Sequence, residues 1–215
     1  MHQYLKAIGF GNISSKKELN KILTQVENSF TQHNLIGQDE ETDFCEYEKE
    51  YGAGMGIALC GDMNVDESFE IIDALDPEKY EVWYMSYNAE PKETYRVDKF
   101  FNRVPYEKVP EIYAQCDILI KTSLLESFSY PPLEMMATGG YVLAVPNGGN
   151  VEYLKDNENC LLYKAGNISQ ACEKIENLIA SEELQQKLYL NGLKTAKERA
   201  WENVTDEILE MYGAN

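Results

Sequence analysis

From about residue 64 onward, apolar and polar positions follow a pattern that predicts strands and helices in turn. Apolar runs of strand length are predicted at 81–87, 116–120 and 141–145. Helices with one apolar face are predicted at 65–75, 108–116, 168–179, 184–197 and 204–212, and a further helix begins at Pro131-Pro132. Strands that alternate with helices predict an α/β fold, in which a parallel sheet carries helices on its faces.

Residues 1–63 show a different pattern. A capping box at 15–18 precedes apolar positions at helical spacing between 19 and 30, which predicts a helix with one apolar face. The acidic tract at 39–50 is typical of a solvated loop, with a cation site as the alternative. The glycines of 52–56 precede a strand-like run, whereas a dinucleotide-binding loop needs its glycines after a strand. These glycines therefore predict a turn, and the whole segment is interpreted as a small α+β unit of unassigned function.

The composition is that of a soluble globular protein, with 44% hydrophobic and 26% charged residues. A formal net charge of -18 argues against a nucleic-acid partner, because phosphate backbones need compensating Lys and Arg side chains. No apolar run approaches the roughly 20 residues of a membrane-spanning helix, and the N-terminus lacks a signal-peptide core. We therefore expect a cytoplasmic protein without a transmembrane segment.

The cysteines and histidines do not form a pattern typical of a metal site. The five cysteines are an odd number and contain no Cys-x-x-Cys pair, which favours a reducing compartment over a disulfide scaffold. Only His2 and His33 could add imidazole ligands. A structural zinc site is therefore not expected.

The segment with the clearest chemistry contains two carboxylates, Glu126 and Glu134, on either side of a short loop. The loop follows a predicted strand and runs into Pro131-Pro132, a favoured helix start. The first turn of a helix presents N–H groups without intrahelical partners, and its dipole also favours an anion. Because Glu126 and Gly148-Gly149 both follow predicted strands, they should meet at the sheet edge where α/β proteins bind ligands. The pattern predicts a site for a phosphorylated ligand whose hydroxyl groups are bound by carboxylates.

The Glu-x7-Glu spacing of Glu126 and Glu134 resembles the signature of the retaining glycosyltransferases of family four, which have the two-domain GT-B fold. Residues 104–117 resemble the segment that precedes this signature. Residues 147–152 resemble the Gly-Gly-x-x-Glu turn that follows it, and residues 158–162 resemble the next strand. Several motifs of the family thus occur in the right order.

The resemblance covers about residues 64–212 and implies that 64–215 form a Rossmann-like donor-binding domain, the C-terminal half of a GT-B fold, with helices on both faces of the sheet. It implies transfer of a sugar from a nucleotide-diphosphate sugar to an unidentified acceptor with retention, in glycan or polysaccharide biosynthesis. No metal or other cofactor is implied, since protein cations and helix dipoles meet the diphosphate in that family. The chain is too short for both GT-B domains, so we expect the acceptor domain to be missing and this chain alone to catalyse little. Residues 1–63 weakly resemble an uncharacterised bacterial family, which assigns no function.

The resemblance also assigns roles to single residues. Glu126 would face the donor sugar and stabilise positive charge at the anomeric carbon, and Glu134 would bind the ribose hydroxyls. The backbone N–H groups of Ser127, Phe128 and Ser129 would meet the sugar and the diphosphate. The implied donor-binding residues are Ser127, Phe128, Ser129, Glu134, Gly148 and Gly149.

Simpler explanations of these residues stay open. Glu134 could only offset the dipole of its helix, and Glu126 could be a solvated loop carboxylate. Phe128 taken alone is typical of a packing residue. Glu152 is a weaker candidate, which either supports the Gly-Gly turn or contacts the ligand.

Two departures from the family pattern bear on activity. Ser127 and Ser129 stand where the family usually has glycine, and a serine does not easily adopt positive φ. Met63 stands where the family has a lysine that neutralises the leaving diphosphate. We hypothesise that a foreign segment has replaced the first strand of the donor domain and the acceptor domain, with the junction at residues 63 and 64. A non-catalytic nucleotide-sugar-binding module is the alternative function.

Overall fold

A computed structural model describes residues 55–60, 64–87 and 89–200, together with residues 205, 209 and 211. Five sequence predictions lie wholly or mostly outside these residues: the helix between 19 and 30, the acidic tract at 39–50, the turn at 52–56, the methionine at 63 and the helix at 204–212. Of the predicted turn, residues 55 and 56 are described, and they begin a strand rather than a turn.

The described residues form six strands and five α-helices in alternation. The strands are β1 (Met55–Cys60), β2 (Tyr80–Ser86), β3 (Lys99–Asn102), β4 (Ile118–Lys121), β5 (Tyr141–Ala144) and β6 (Leu161–Leu162). The helices are α1 (Val65–Ala74), α2 (Val109–Tyr113), α3 (Tyr130–Ala137), α4 (Ile168–Ala180) and α5 (Glu182–Glu198). A 3₁₀ turn at Tyr106–Lys108 leads directly into α2.

All six strands pair in parallel in one sheet with the order β3-β2-β1-β4-β5-β6. The chain builds outward from β1 to β3, crosses back to place β4 beside β1, and then builds outward in the other direction. This reversal creates a topological switch point between β1 and β4, the position at which α/β sheets open a crevice for ligands. The predicted α/β fold with a parallel sheet is confirmed.

Both faces of the sheet are covered because side chains along each strand alternate between two cores. In β1, Ile57 and Leu59 enter the first core, whereas Ala58 enters the second. Helices α1 and α4 cover the first core, and α2 and α3 cover the second. Helix α5 contributes Leu188 to the first core and packs Ala196 against the second. The predicted arrangement of helices on both faces is also confirmed.

Strand β3 lies in a stretch for which the sequence pattern predicts no strand. The strand is only four residues long and half-exposed, so it lacks the buried apolar pattern of a central strand. Its existence depends on pairing with β2, from Trp83 opposite Lys99 to Ser86 opposite Asn102. An edge strand of this kind is decided by its neighbour rather than by its own sequence.

The sheet extends across the junction proposed at residues 63 and 64. Strand β1 precedes that junction and lies in the middle of the sheet, where it pairs with both β2 and β4. Residues 55–60, which lie in the predicted N-terminal segment, therefore form the first strand of the sheet. The division into 1–63 and 64–215 stays a prediction about the origin of the two parts.

Candidate functional site

The loops that follow β4 and β5 lie against each other at the carboxyl edge of the sheet. A Cβ atom added to Gly149 would lie 2.6 Å from the backbone oxygen of Glu126. The backbone N–H of Ser129 donates to the carbonyl oxygen of Gly149 at 3.3 Å. Only glycine permits this approach of the two loops. The structure thus brings together Glu126 and the Gly-Gly turn, as their positions after predicted strands required.

Two buried asparagines fix the loop after β5. The side chain of Asn150 accepts from the backbone N–H of Asn147 at 2.8 Å and donates to the carbonyl of Val145 at 3.0 Å. The side chain of Asn147 accepts from the N–H of Gly149 at 2.9 Å and donates to the carbonyl of Ser123 at 2.7 Å. These bonds close the turn on itself and tie it to the loop after β4.

The carboxylate of Glu126 forms an ion pair with a lysine at the end of β4. Lys121 Nζ lies 2.9 Å from Glu126 Oε1 and 2.6 Å from Ser123 Oγ. The lysine side chain is 4% exposed, whereas that of Glu126 is 27% exposed. The pair therefore has a buried cation and a carboxylate that reaches the surface of the site.

Glu134 lies inside α3 with only 8% of its surface exposed. Burial raises the pKa of its carboxyl from an ordinary value of 4.5 to about 7, and a hydrogen bond from Tyr106 opposes this rise. The hydroxyl of Tyr106 donates to Glu134 Oε1 at 3.2 Å. The charge of Glu134 also contributes, after burial, to a raised pKa of the nearby Tyr87. Glu134 is thus poised to change its charge near neutral pH.

The segment between the two carboxylates adopts backbone conformations that serine tolerates. Among the described non-glycine residues, positive φ occurs at Arg103 and Asn157. Ser129 has a φ of -92° as the residue that precedes α3. Serine in place of glycine at 127 and 129 therefore causes no backbone strain here.

Ser127, Phe128 and Ser129, the predicted donor-binding residues of this segment, have different environments. Ser127 is exposed, and Ser129 is fully buried, with an Oγ that has no hydrogen-bond partner among the described residues. The ring of Phe128 lies 5.0 Å from that of Tyr130 and 5.5 Å from that of Tyr153. These contacts agree with the packing role of Phe128. The predicted contacts of the segment with a donor stay predictions.

The weaker candidate, Glu152, lies on the far side of the Gly-Gly turn. Its exposed carboxylate accepts a hydrogen bond from Nη1 of Arg199, the residue that follows the end of α5. The bond ties the turn to that helix, which agrees with a supporting role.

The beginning of α1 joins the same edge of the sheet. Asn64 donates to the carbonyl of Thr122 at 3.0 Å, and the hydroxyl of Thr122 donates to the carbonyl of Asn64 at 2.7 Å. Ser68 and Thr122 exchange a buried hydrogen bond at 2.9 Å. These bonds hold the beginning of α1 and the residue that follows β4 in a fixed arrangement beside the switch point.

Sequence reasoning missed four residues that shape this site: Tyr106, Lys121, Asn147 and Asn150. Lys121 carried a usable signal, since it is a charged residue at the carboxyl end of an apolar strand. The two asparagines flank the glycine pair and are typical of turns. The contact of Tyr106 with Glu134 carried no such signal, because it joins residues 28 apart in sequence.

Neither a metal cluster nor a membrane-spanning helix is found in the described part of the chain. Among these residues, no group of three or more His, Cys, Asp or Glu side chains could hold a metal ion. No described helix combines the length and apolar character needed to cross a bilayer.

Comparison with known families assigns the chain to one of them. Residues 62–195, more than half of the chain, match the family model described as glycosyl transferases group 1. The chain belongs to this family. The match includes α1, the loops after β4 and β5, and both carboxylates of the Glu-x7-Glu pair.

Individual proteins are similar to this chain over part of their length. An uncharacterized glycosyltransferase of Methanocaldococcus jannaschii is 28% identical over 160 residues, which are 74% of this chain and 44% of that protein. The O-antigen biosynthesis protein RfbC of Myxococcus xanthus is 28% identical over 107 residues, or 50% of this chain and 8% of that protein. This chain therefore spans less than half the length of each of these relatives.

The fold is shared with solved GT-B glycosyltransferases. The crystal structure of Anabaena HepE in complex with UDP-glucose superposes with a TM-score of 0.65 and 17% sequence identity. The superposition covers 75% of this chain and 49% of that one. The Rossmann-like architecture expected from the resemblance is confirmed.

Proposed function

We propose that this chain provides the donor half of a retaining glycosyltransferase, which transfers a sugar from a nucleotide-diphosphate sugar to a glycan acceptor in polysaccharide biosynthesis. The observation that carries the proposal is the placement of two different carboxylates at the switch-point edge. Glu126 is half-exposed and paired with a cation, and Glu134 is buried and able to change its charge near neutral pH. Family membership and the fold shared with HepE, whose crystal structure contains UDP-glucose, support this proposal.

The nucleotide would occupy the side of the site next to α3. An ionised Glu134 can accept two hydroxyl groups, which fits the ribose, and such charge-assisted bonds are stronger than neutral ones. Tyr106, which already bonds Glu134 Oε1, would have to share that oxygen with the ribose or move.

The diphosphate would lie at the beginning of α3. The dipole of α3 favours an anion at this position, and among the first three residues of the helix only Tyr130 has a backbone N–H to offer, because Pro131 and Pro132 have none. The hydroxyl of Ser129 is buried without a described partner, which costs free energy unless a bound group satisfies it. A phosphate oxygen would supply that partner, and the scheme requires no metal or other cofactor.

The sugar would face Glu126 and the Gly-Gly turn. A carboxylate beside the anomeric carbon stabilises the positive charge that develops there as the diphosphate leaves. The exposed position at Gly148, where a Cβ would meet no atom within 4 Å, leaves room for the sugar.

Binding of nucleotide-sugars tests the proposal directly. Thermal shift and calorimetric titration would be run with UDP-glucose, UDP-N-acetylglucosamine, GDP-mannose and the free nucleoside diphosphates. We expect stabilisation by at least one nucleotide-sugar, and we expect Glu134→Ala to remove it. Glu111→Ala is the matched control, because Glu111 is an exposed carboxylate with 63% of its side chain accessible.

The outcomes distinguish a donor site from the alternative functions. A flat response of the wild-type chain to every compound would refute a donor site. Transfer or donor hydrolysis by this chain would refute the non-catalytic module, whereas binding without either is expected both of that module and of a donor half acting alone. If transfer is observed, the anomeric configuration of the product, read by NMR, decides whether the configuration is retained.

A further inference from the structure

Lys121 is an unusual residue for the end of a central strand. The three residues before it, Ile118 to Ile120, are apolar and fully buried, and Lys121 itself is 4% exposed. Removing an ammonium group from water is costly unless it is paired and hydrogen-bonded. A methionine would fill the same space without that cost, so folding alone does not require a lysine here.

Two described partners of Lys121 belong to the proposed donor site. Its Nζ contacts Glu126 Oε1 at 2.9 Å and Ser123 Oγ at 2.6 Å. The carbonyl of Ser123 accepts from Asn147, so this cluster is fixed to the loop that carries the Gly-Gly turn. The charge of Glu126 is thereby held at one place in a rigid edge of the sheet.

We propose that Lys121 is a positioning residue for the donor sugar, which holds the Glu126 carboxylate in the orientation that binds sugar hydroxyls. The inference rests on the proposed function. Without Lys121, the Glu126 carboxylate would have no fixed orientation, and its negative charge would repel the nearby diphosphate. With Lys121, the pair has no net charge, and one carboxylate oxygen is held while Glu126 still reaches the surface.

Recognition of the sugar can be measured separately from recognition of the nucleotide. The ratio of the Kd of the nucleoside diphosphate to the Kd of its nucleotide-sugar reports what the sugar adds. The probe is whichever of UDP-glucose, UDP-N-acetylglucosamine and GDP-mannose binds the wild-type chain most tightly. The full chain is titrated as wild type, Lys121→Met, Glu126→Gln and the double variant.

We expect Lys121→Met to lower this ratio about tenfold while the Kd of the nucleoside diphosphate changes by less than about threefold. Because Lys121 acts through Glu126, the double variant should match Glu126→Gln alone rather than show the product of both effects. Lys174→Met is the control, since Lys174 forms a comparable pair with Asp156 at 2.8 Å, with 16% of its side chain exposed. It should leave the ratio unchanged.

Other results overturn the inference in distinguishable ways. An unchanged ratio in Lys121→Met, additive effects in the double variant, or an equal loss of nucleotide and nucleotide-sugar affinity would each refute the positioning role while leaving the proposed function intact. Failure of the wild-type chain to bind any nucleotide-sugar would instead refute the proposed function, and the inference with it.

A second measurement covers the case in which Lys121→Met does not fold. In ¹⁵N-lysine-labelled wild-type protein, the ammonium resonance that shifts in Glu126→Gln belongs to Lys121. Addition of the nucleotide-sugar should move this resonance further than addition of the nucleoside diphosphate does. Equal movement by the two ligands would contradict the proposal.

Discussion

Replacement of Glu134 by glutamine should stabilise the chain, and increasingly so as the pH rises. The carboxyl is 8% exposed, and burial raises its pKa from an ordinary 4.5 to about 7. Glutamine has nearly the same shape and can still accept from the hydroxyl of Tyr106, but it stays neutral at every pH. The variant therefore removes the cost of burying a charge and little else.

The pH dependence follows from the two pKa values of Glu134. Below pH 4.5 the carboxyl is protonated in the folded and the unfolded chain, so it has no effect on stability. Between pH 4.5 and 7 it ionises in the unfolded chain but stays protonated in the folded one, so the free energy of unfolding falls as the pH rises. Above pH 7 it is ionised in both states, and the full penalty is present. The difference between 4.5 and 7 corresponds to about 3 kcal/mol.

Urea unfolding of both proteins between about pH 5 and 8.5 measures this difference, with tryptophan fluorescence, to which the buried Trp83 contributes, as the signal. The free energy of unfolding of Glu134→Gln should exceed that of the wild type by less than about 1 kcal/mol at pH 5 and by about 3 kcal/mol above pH 8. Other titrating groups are common to both proteins and cancel. Glu111→Gln controls for the loss of one negative charge and should change stability by less than about 1 kcal/mol at all pH values.

Two results would refute this reasoning. A difference between Glu134→Gln and wild type that does not vary with pH would show that Glu134 does not titrate in this range when folded. A variant that is less stable than wild type above pH 7 would show that the ionised carboxylate is stabilised by a partner. Confirmation would mean that about half of the molecules carry a neutral Glu134 at pH 7.

Three further predictions concern the same site. If only ionised Glu134 binds the ribose, a nucleotide-sugar, which has no phosphate monoester to titrate, should bind about tenfold more tightly at pH 8 than at pH 6; calorimetry that finds no pH dependence would exclude this. Gly149→Ala places a Cβ 2.6 Å from a backbone oxygen and should cost about 1–3 kcal/mol in urea unfolding, whereas Gly148→Ala should stay within about 0.5 kcal/mol. Equal effects of the two would contradict the close packing of the loops. Asn150→Ala leaves the Asn147 N–H and the Val145 carbonyl buried without partners and should lower the unfolding free energy by about 2–4 kcal/mol; a change below 0.5 kcal/mol would show that water replaces the side chain.

The apolar pattern of the chain determined most of the fold. Helical spacing placed α1 and α4 nearly to their bounds, and apolar runs located β2, β4 and β5, because each buries a face whose period is visible in the local sequence. Strand β3 and the shortened α2 were not determined in this way. The first depends on pairing with β2, and the second ends where the chain turns into β4.

The sequence also determined which residues follow strands and therefore meet at one edge of the sheet. Glu126, Glu134 and the Gly-Gly turn could be named in advance, because chain order alone fixes which loops follow which parallel strands. The resemblance to a family then supplied roles that spacing does not contain.

Only the tertiary structure decided the pKa of Glu134 and the ion pairing of Glu126. Burial of Glu134 within the packed structure raises its pKa, and the hydrogen bond from Tyr106 opposes that rise. The charge on Glu126 is paired with Lys121, which the apolar pattern treats as the end of a strand. Desolvation and ion pairing depend on distances between residues far apart in sequence, and periodicity carries no information about those distances. The sequence therefore determined where the carboxylates stand along the chain, and packing determined what each one can do.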